Sequence, residues 1–167
     1  LPRLTLILGG ARSGKSRHGE SLVKAEPGPW TYIATAQALD EEMRARIAVH
    51  RARRGEGWRT VEAPVDMPDA VLLAADRPVL VDCLTLWLSN LLLGELDLTE
   101  AKDALDDALD WRESPTVLVA SEVGLGIVPE TPLGRRFRDE AGLLHQRLAA
   151  RADRVILMVA GLPMAVK

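Results

Sequence analysis

A chain of 167 residues with 47% hydrophobic and 27% charged side chains has the make-up of one globular domain, spanning residues 1–167 and long enough to bury a core. Its 21 basic and 24 acidic residues leave a net charge of −3, which excludes a general nucleic-acid binder, because such proteins carry a basic excess on a face or tail. Cys83, the single cysteine, permits no intrachain disulfide, and no apolar run reaches the roughly 20 residues of a bilayer span or resembles a cleavable leader. The expectation is a soluble, cytoplasmic protein with no membrane span.

Apolar, β-rich runs alternate with helical patterns along the chain. Leu4 to Leu8 reads as a buried strand, followed by a glycine-rich loop and a helix; Trp30 to Ala34 reads as a second strand. Asp40, Glu41 and Glu42 then open a helix that Arg51, Arg53 and Arg54 close, acids at its positive end and bases at its negative end, before Gly55 stops it. The stretch from Gly55 to Pro78 has no clear period. Val79 to Asp82 reads as a third strand, with Cys83 among the neighbours of a buried strand in VLVDCLTLW, and LWLSNLLLG reads as an exposed apolar segment. Thr116 to Ala120 and Arg154 to Ala160 complete the strands. Between them Leu133, Phe137, Ala141, Leu144 and Leu148 recur on one face of a helix running to about Arg151. This rhythm predicts an α/β fold: a mainly parallel central sheet with helices on both faces, its ligands beyond the carboxyl ends of the strands.

The loop after the first strand is GGARSGKS, and it fits G-x-x-x-x-G-K-[ST]. Glycines at 9 and 14 let backbone N–H groups curl round phosphate oxygens, Lys15 brings a positive charge, and Ser16 can ligate Mg²⁺ at the start of a helix. VLVD ends the third strand on Asp82, where a nucleotide site wants a carboxylate for the metal's water shell; a turn or capping acid is the plain alternative. Glu122, after the strand TVLVA, is a second strand-end acid that could face the same cleft. In the second helix Leu39, Met43, Ile47 and His50 fall at steps of four, four and three, so His50 shares the apolar face. It is either a satisfied core histidine or, with three arginines beside it holding its imidazole neutral, a nucleophile toward phosphorus. His18 and His145 read as structural or surface residues.

GGARSGKS, YIATAQALDEEMRARI with its later His50 and WRTVE, SEVGLGIVPE, and FRDEAGLLHQRLAARAD resemble, in this order and over nearly the whole chain, the bifunctional adenosylcobinamide kinase/adenosylcobinamide-phosphate guanylyltransferase family of cobalamin biosynthesis. The resemblance implies a P-loop NTPase-like fold and two reactions. The first phosphorylates the aminopropanol hydroxyl of adenosylcobinamide with ATP or GTP. In the second, GMP passes from GTP to a histidine, here His50, with release of pyrophosphate, and then to adenosylcobinamide phosphate, giving adenosylcobinamide-GDP. It further implies nucleotide contacts at Gly9, Gly10, Ala11, Arg12, Ser13, Gly14, Lys15 and Ser16, at Ala34, Thr35 and Ala36, at Arg51, Ala52, Arg53 and Arg54, and at Glu62 and Asp82. Lys15 and His50 are then the catalytic residues, Ser16 and Asp82 the holders of Mg²⁺, and the assembly a homotrimer. Two competing readings stand beside it: a kinase performing only the phosphoryl step, and a nucleotide switch, although the N-K-x-D guanine motif is absent.

Overall fold

The computed structural model describes residues 1–38, 40–74 and 76–167, and leaves the side chains of Glu42, Met43, Arg46, His50, Arg51 and Arg53 outside the description. The elements run β1 (Leu4–Gly9), α1 (Lys15–Lys24), β2 (Trp30–Ala34), α2 (Glu41–Arg54), β3 (Trp58–Glu62), α3 (Met67–Leu73), β4 (Val79–Asp82), α4 (Leu84–Leu93), α5 (Leu98–Asp110), β5 (Thr116–Val119), α6 (Pro132–Arg151), β6 (Arg154–Val159) and β7 (Leu162–Ala165). Among the described residues the strands form one seven-stranded sheet in the order β3-β2-β4-β5-β1-β6-β7. Every pairing is parallel except that of β7 with β6.

The inner strands are apolar on both sides because both sides are covered, as parallel sheets require. Alternate residues separate into two cores. Leu4, Leu6, Ile33, Val81 and Leu118 face one way, with Trp87, Leu88, Leu105 and Leu144 from α4, α5 and α6. Ile7, Tyr32, Leu80, Val117 and Ile156 face the other, with Val23 of α1. On α6 the expected stripe is buried at Ala141, Leu144 and Leu148, while Leu133 at its start is exposed.

Several expectations change. The third strand is β4 with the expected bounds, Val79–Asp82, but Cys83, read among the neighbours of a buried strand, instead caps α4, and Leu84 onward is helical. LWLSNLLLG is not exposed as a segment, since Trp87, Leu88, Leu91 and Leu92 are core residues of α4 and Leu93 is its exposed end. The unread stretch after Gly55 holds the edge strand β3 and the short helix α3. The last predicted strand stops one residue early, at Val159, where Ala160 and Gly161 form a two-residue turn with φ of 50° and 84° that leads into β7.

Candidate active site

Parallel pairing brings the strand ends into one row. Glu62 lies opposite Ala34, Ala34 opposite Asp82, and Asp82 opposite Val119, while Gly9 lies opposite Met158. The GGARSGKS loop leaves this row at β1. A Cβ at Gly9, whose φ is 154°, would stand 2.7 Å from Met158 O and 2.7 Å from Ser13 Oγ, and Gly14, with φ 93°, caps α1 in the left-handed region. The turn at Gly161 is tied back to the loop by its N–H, which donates to Ser13 O at 3.1 Å. Lys15 is buried, and its Nζ donates to Gly10 O at 2.5 Å. Burial lowers the pKa of its ammonium, against the pull of Cys83 and Asp82 nearby. The Cys83 thiol is pushed up to about 11, by burial first and by Asp82 second, so it stays protonated and is no nucleophile at neutral pH.

Above the row opens a cavity of about 1730 Å³. Ala11, Arg12, Ser13, Gly14, Lys15 and Ser16 form one wall, Ala34 and Ala36 with Glu62 and Asp82 the floor, and Arg44, Ile47, Ala48, Ala52 and Arg54 of α2 the facing wall. Gly9 and Gly10 complete the loop without lining the cavity. Leu39 lies outside the described residues, as do the side chains of Met43, His50, Arg51 and Arg53. The expected inward face of the second helix therefore stands on Ile47, which is half-buried and lines the cavity.

Thr35, an expected nucleotide contact, departs from the cavity-lining placement of its neighbours Ala34 and Ala36. It is fully buried and away from the cavity lining; its hydroxyl donates to Cys83 O at 2.7 Å and accepts from Cys83 N–H at 2.8 Å. Asn90 adds a side-chain amide donated to Thr35 O at 2.9 Å and to Pro64 O at 2.8 Å. Glu122 also departs from the cleft-facing expectation: among the residues after β5 it is Ser121 that lines the cavity. The Glu122 N–H donates to Gly9 O at 2.9 Å, and its carboxylate accepts from Gly124 N–H at 2.6 Å and lies 3.8 Å from His145 Nδ1. His145 is structural as expected, but buried, with that carboxylate beside it; burial lowers its pKa and Glu122 opposes. His18 is half-buried on the cavity wall, its pKa lowered by burial and then by Arg154.

Tyr32 was not singled out by the sequence and belongs to the site. Its hydroxyl donates to Asp82 Oδ2 at 2.9 Å, and the Arg54 guanidinium lies 3.6 Å over its ring. A signal existed, since a tyrosine in a strand this apolar needs a partner for its hydroxyl.

The residues also suit Mg²⁺. Among the described residues no cluster of three or more His, Cys, Asp or Glu could cage an ion. Mg²⁺ on nucleotides does not need a cage: one or two protein oxygens suffice, the phosphates and water completing its shell. Ser16, on the first turn of α1, and Asp82, with Lys15 near it, are such oxygens.

A family described as cobinamide kinase / cobinamide phosphate guanyltransferase matches residues 5–166. A bifunctional adenosylcobalamin biosynthesis protein of Pseudomonas aeruginosa is 51% identical over 166 residues, which cover 97% of this chain and 96% of that relative. One of Salmonella typhimurium is 42% identical over 181 residues, covering 98% and 99%. Among solved structures the chain resembles an ATPase domain, with a TM-score of 0.51 at 9% identity over 94% of this chain and 70% of that one. It also resembles an ATPase of the type III secretion system of pathogenic bacteria, with a TM-score of 0.53 at 11% identity over 98% of this chain and 56% of that one. Those two likenesses show the fold alone, an α/β fold on a mostly parallel sheet flanked by helices. The near-complete match at high identity says more: the chain belongs to the cobinamide kinase / cobinamide phosphate guanyltransferase family.

Proposed function

We propose that this cleft carries out both reactions in the family's description: phosphorylation of adenosylcobinamide by ATP or GTP, and transfer of GMP from GTP to the adenosylcobinamide phosphate so formed. The observation that carries the reading is the single cavity shared by the P-loop and α2. At about 1730 Å³ it exceeds the roughly 300–1,000 Å³ of an ordinary small-ligand pocket, and so has room for a nucleotide and part of a second, bulky substrate.

In the kinase step the backbone N–H groups of Ala11 to Ser16 and the Lys15 ammonium hold the β- and γ-phosphates in line with the substrate hydroxyl. Mg²⁺, held by Ser16 and Asp82, supplies further neutralisation of the triphosphate when bound. In the second step a ring nitrogen of His50 attacks the α-phosphorus of GTP, forming an N–P bond as the bond to the β-phosphate oxygen breaks and pyrophosphate departs. A phosphate oxygen of adenosylcobinamide phosphate then attacks the same phosphorus and releases the histidine. His50 lies three residues after Ile47 and four before Arg54, and both of those line the cavity. Arg54, with Arg51 and Arg53, supplies cations for the departing pyrophosphate. The homotrimer and the cytoplasmic location belong to the same proposal. The exposed Leu125, Ile127 and Val128 in the loop after β5 offer an apolar surface for assembly, and the nucleotide substrates are cytoplasmic metabolites.

Incubation with α-labelled GTP, the corrinoid withheld, tests the reading. Wild type should take up label that survives denaturation, is lost in acid and persists in alkali, whereas γ-labelled GTP should leave none. His50→Ala should take up neither and keep substantial kinase activity. Uptake of α-label by His50→Ala with the same stability would move the nucleophile elsewhere; no uptake by wild type would leave the kinase alone.

A further inference from the structure

Tyr32 stands where the two half-sites meet. It is 5% exposed, and it is the single tyrosine of the chain. Its hydroxyl reaches along the sheet from β2 to the end of β4, donating to Asp82 Oδ2 at 2.9 Å. Its ring is the seat of Arg54, the last residue of α2, whose guanidinium carbon lies 3.6 Å from the ring centroid and whose Nη2 donates to Thr60 Oγ1 at 3.3 Å. Trp58 meets the Tyr32 ring in an edge-on arrangement, at 6.1 Å between centroids. Arg54 is only 4% exposed, so this is a buried packing contact and not a mobile surface arginine.

Resting on the functional reading above, we propose that Tyr32 is a positioning residue that couples the guanylyl-transfer helix α2 to the phosphate-and-metal centre at Asp82. The hydroxyl acts on one side only. A phenol donating to a carboxylate fixes that carboxylate's rotation, and with it the oxygen offered to a metal-bound water. The ring acts on the other side: it fixes the carboxyl-terminal end of α2 through Arg54, and so sets the height of that helix over the nucleotide. Hydroxyl and ring are therefore separable functions of one side chain.

Two variants separate them. Tyr32→Phe keeps the ring and loses the donor; its defect should be a need for about tenfold more metal in both reactions, the size of one hydrogen bond to a charged acceptor, with kcat restored at saturating Mg²⁺. Mn²⁺ binding in the presence of GDP, followed by electron paramagnetic resonance, should weaken about tenfold with no turnover involved. Tyr32→Leu also loses the seat of Arg54; guanylyl uptake should stay more than about tenfold slow at saturating metal. Because there is one tyrosine, 3-fluorotyrosine labels this ring alone. Its ¹⁹F resonance in the free protein should move in both Arg54→Gln and Asp82→Asn.

Unchanged Mn²⁺ affinity in Tyr32→Phe, or a resonance that ignores Arg54→Gln, overturns the coupling. So does a Tyr32→Leu defect in guanylyl uptake that excess metal repairs. A wild-type protein lacking both activities would instead overturn the functional reading, while the Mn²⁺ and ¹⁹F measurements still decide the contacts at Tyr32.

Discussion

Replacing Thr35 by valine separates a structural threonine from a nucleotide contact. Valine keeps the shape and removes the hydroxyl, leaving Cys83 N–H, now bonded to Thr35 Oγ1 at 2.8 Å, without a partner in a buried place, and Cys83 O, now accepting from Thr35 Oγ1 at 2.7 Å, with Trp87 N–H alone at 3.2 Å. An unmade bond to a buried backbone N–H costs about 1–3 kcal/mol, and the carbonyl's lost second bond adds at most about 1 kcal/mol. In a protein of this size each kcal/mol moves Tm by about 2–4 °C, and the nucleotide-free variant should melt roughly 3–12 °C below wild type. Thr35→Ser retains the hydroxyl and loses one buried methyl, worth about 1 kcal/mol. Scanning calorimetry of the three proteins without ligand is the assay. A Thr35→Val protein that melts within about 2 °C of wild type while binding GTP markedly less well would refute this reasoning and return Thr35 to the nucleotide.

Lys15→Ala should slow both reactions by well over tenfold, since each needs the triphosphate held and its charge offset, and tenfold is only ~1.4 kcal/mol of transition-state stabilisation; either rate surviving within that limit in separate half-reaction assays would divorce it from the loop. Arg112, pulled down to about 10 by burial and still charged at neutrality, donates to Thr116 Oγ1, Val71 O and Arg77 O. Arg112→Met takes the donor from each of those acceptors, leaving the Thr116 hydroxyl its bond to Ser114 O at 3.4 Å, and should lower unfolding free energy by about 2–4 kcal/mol in urea, with kinetics little changed at low temperature. The pKa values of His18 and His145 lie below the ordinary 6.5, in both chiefly through burial. The unfolded chain therefore binds more protons, and stability that is full above about pH 6.5 falls as pH drops through that value. His145→Gln should flatten part of this slope between about pH 8 and 5.5 in urea titrations, and a slope identical to wild type would remove His145 from the account.

The parts of the fold legible in the sequence are those whose residues have one reason to be where they are. β1, β2, β4, β5 and β6 are apolar because both faces are covered, and the GGARSGKS loop is glycine-rich because phosphates and Met158 approach its backbone. β3 was hidden because WRTVE is an edge strand with polar alternate residues, and β7 because LPMA is short, exposed and interrupted by a proline that only an edge tolerates. Within the site, the loop and Asp82 announce themselves through local spacing. The tasks of Thr35, Tyr32 and Glu122 do not, since each is set by a partner brought close by strand register or loop closure: Cys83 is 48 residues from Thr35, and Asp82 is 50 from Tyr32. Pairing β2 with β4 was the missing step.

The charge of the molecule and the charge of its cleft have opposite signs, and this asymmetry bears on how one cavity serves two reactions. The chain as a whole carries −3, yet Arg12, Lys15, Arg17, Arg44 and Arg54 line the cavity against Glu62 and Asp82. A concave wall of cations in an acidic protein concentrates field lines at its mouth and favours polyanions there over the rest of the surface. Triphosphate, pyrophosphate and a phosphorylated acceptor all meet that requirement. The two cation groups stand on different elements: Arg12, Lys15 and Arg17 belong to the loop and α1, Arg44 and Arg54 to α2. On the proposed function, phosphates held by the first group alone would suffice for attack on the γ-phosphorus. On the same proposal, attack on the α-phosphorus would also need the second group over the chain, and so would depend on where α2 sits. Added salt screens the field at the mouth and should raise KM for nucleotide in both reactions. At saturating Mg²⁺, moving α2, as in Tyr32→Leu, should lower the rate of guanylyl transfer at saturating nucleotide and leave KM in the kinase reaction near wild type. A salt series run on both half-reactions with wild type and that variant distinguishes the two effects. Equal KM and kcat losses in both reactions would mean that the cations act as one undivided patch.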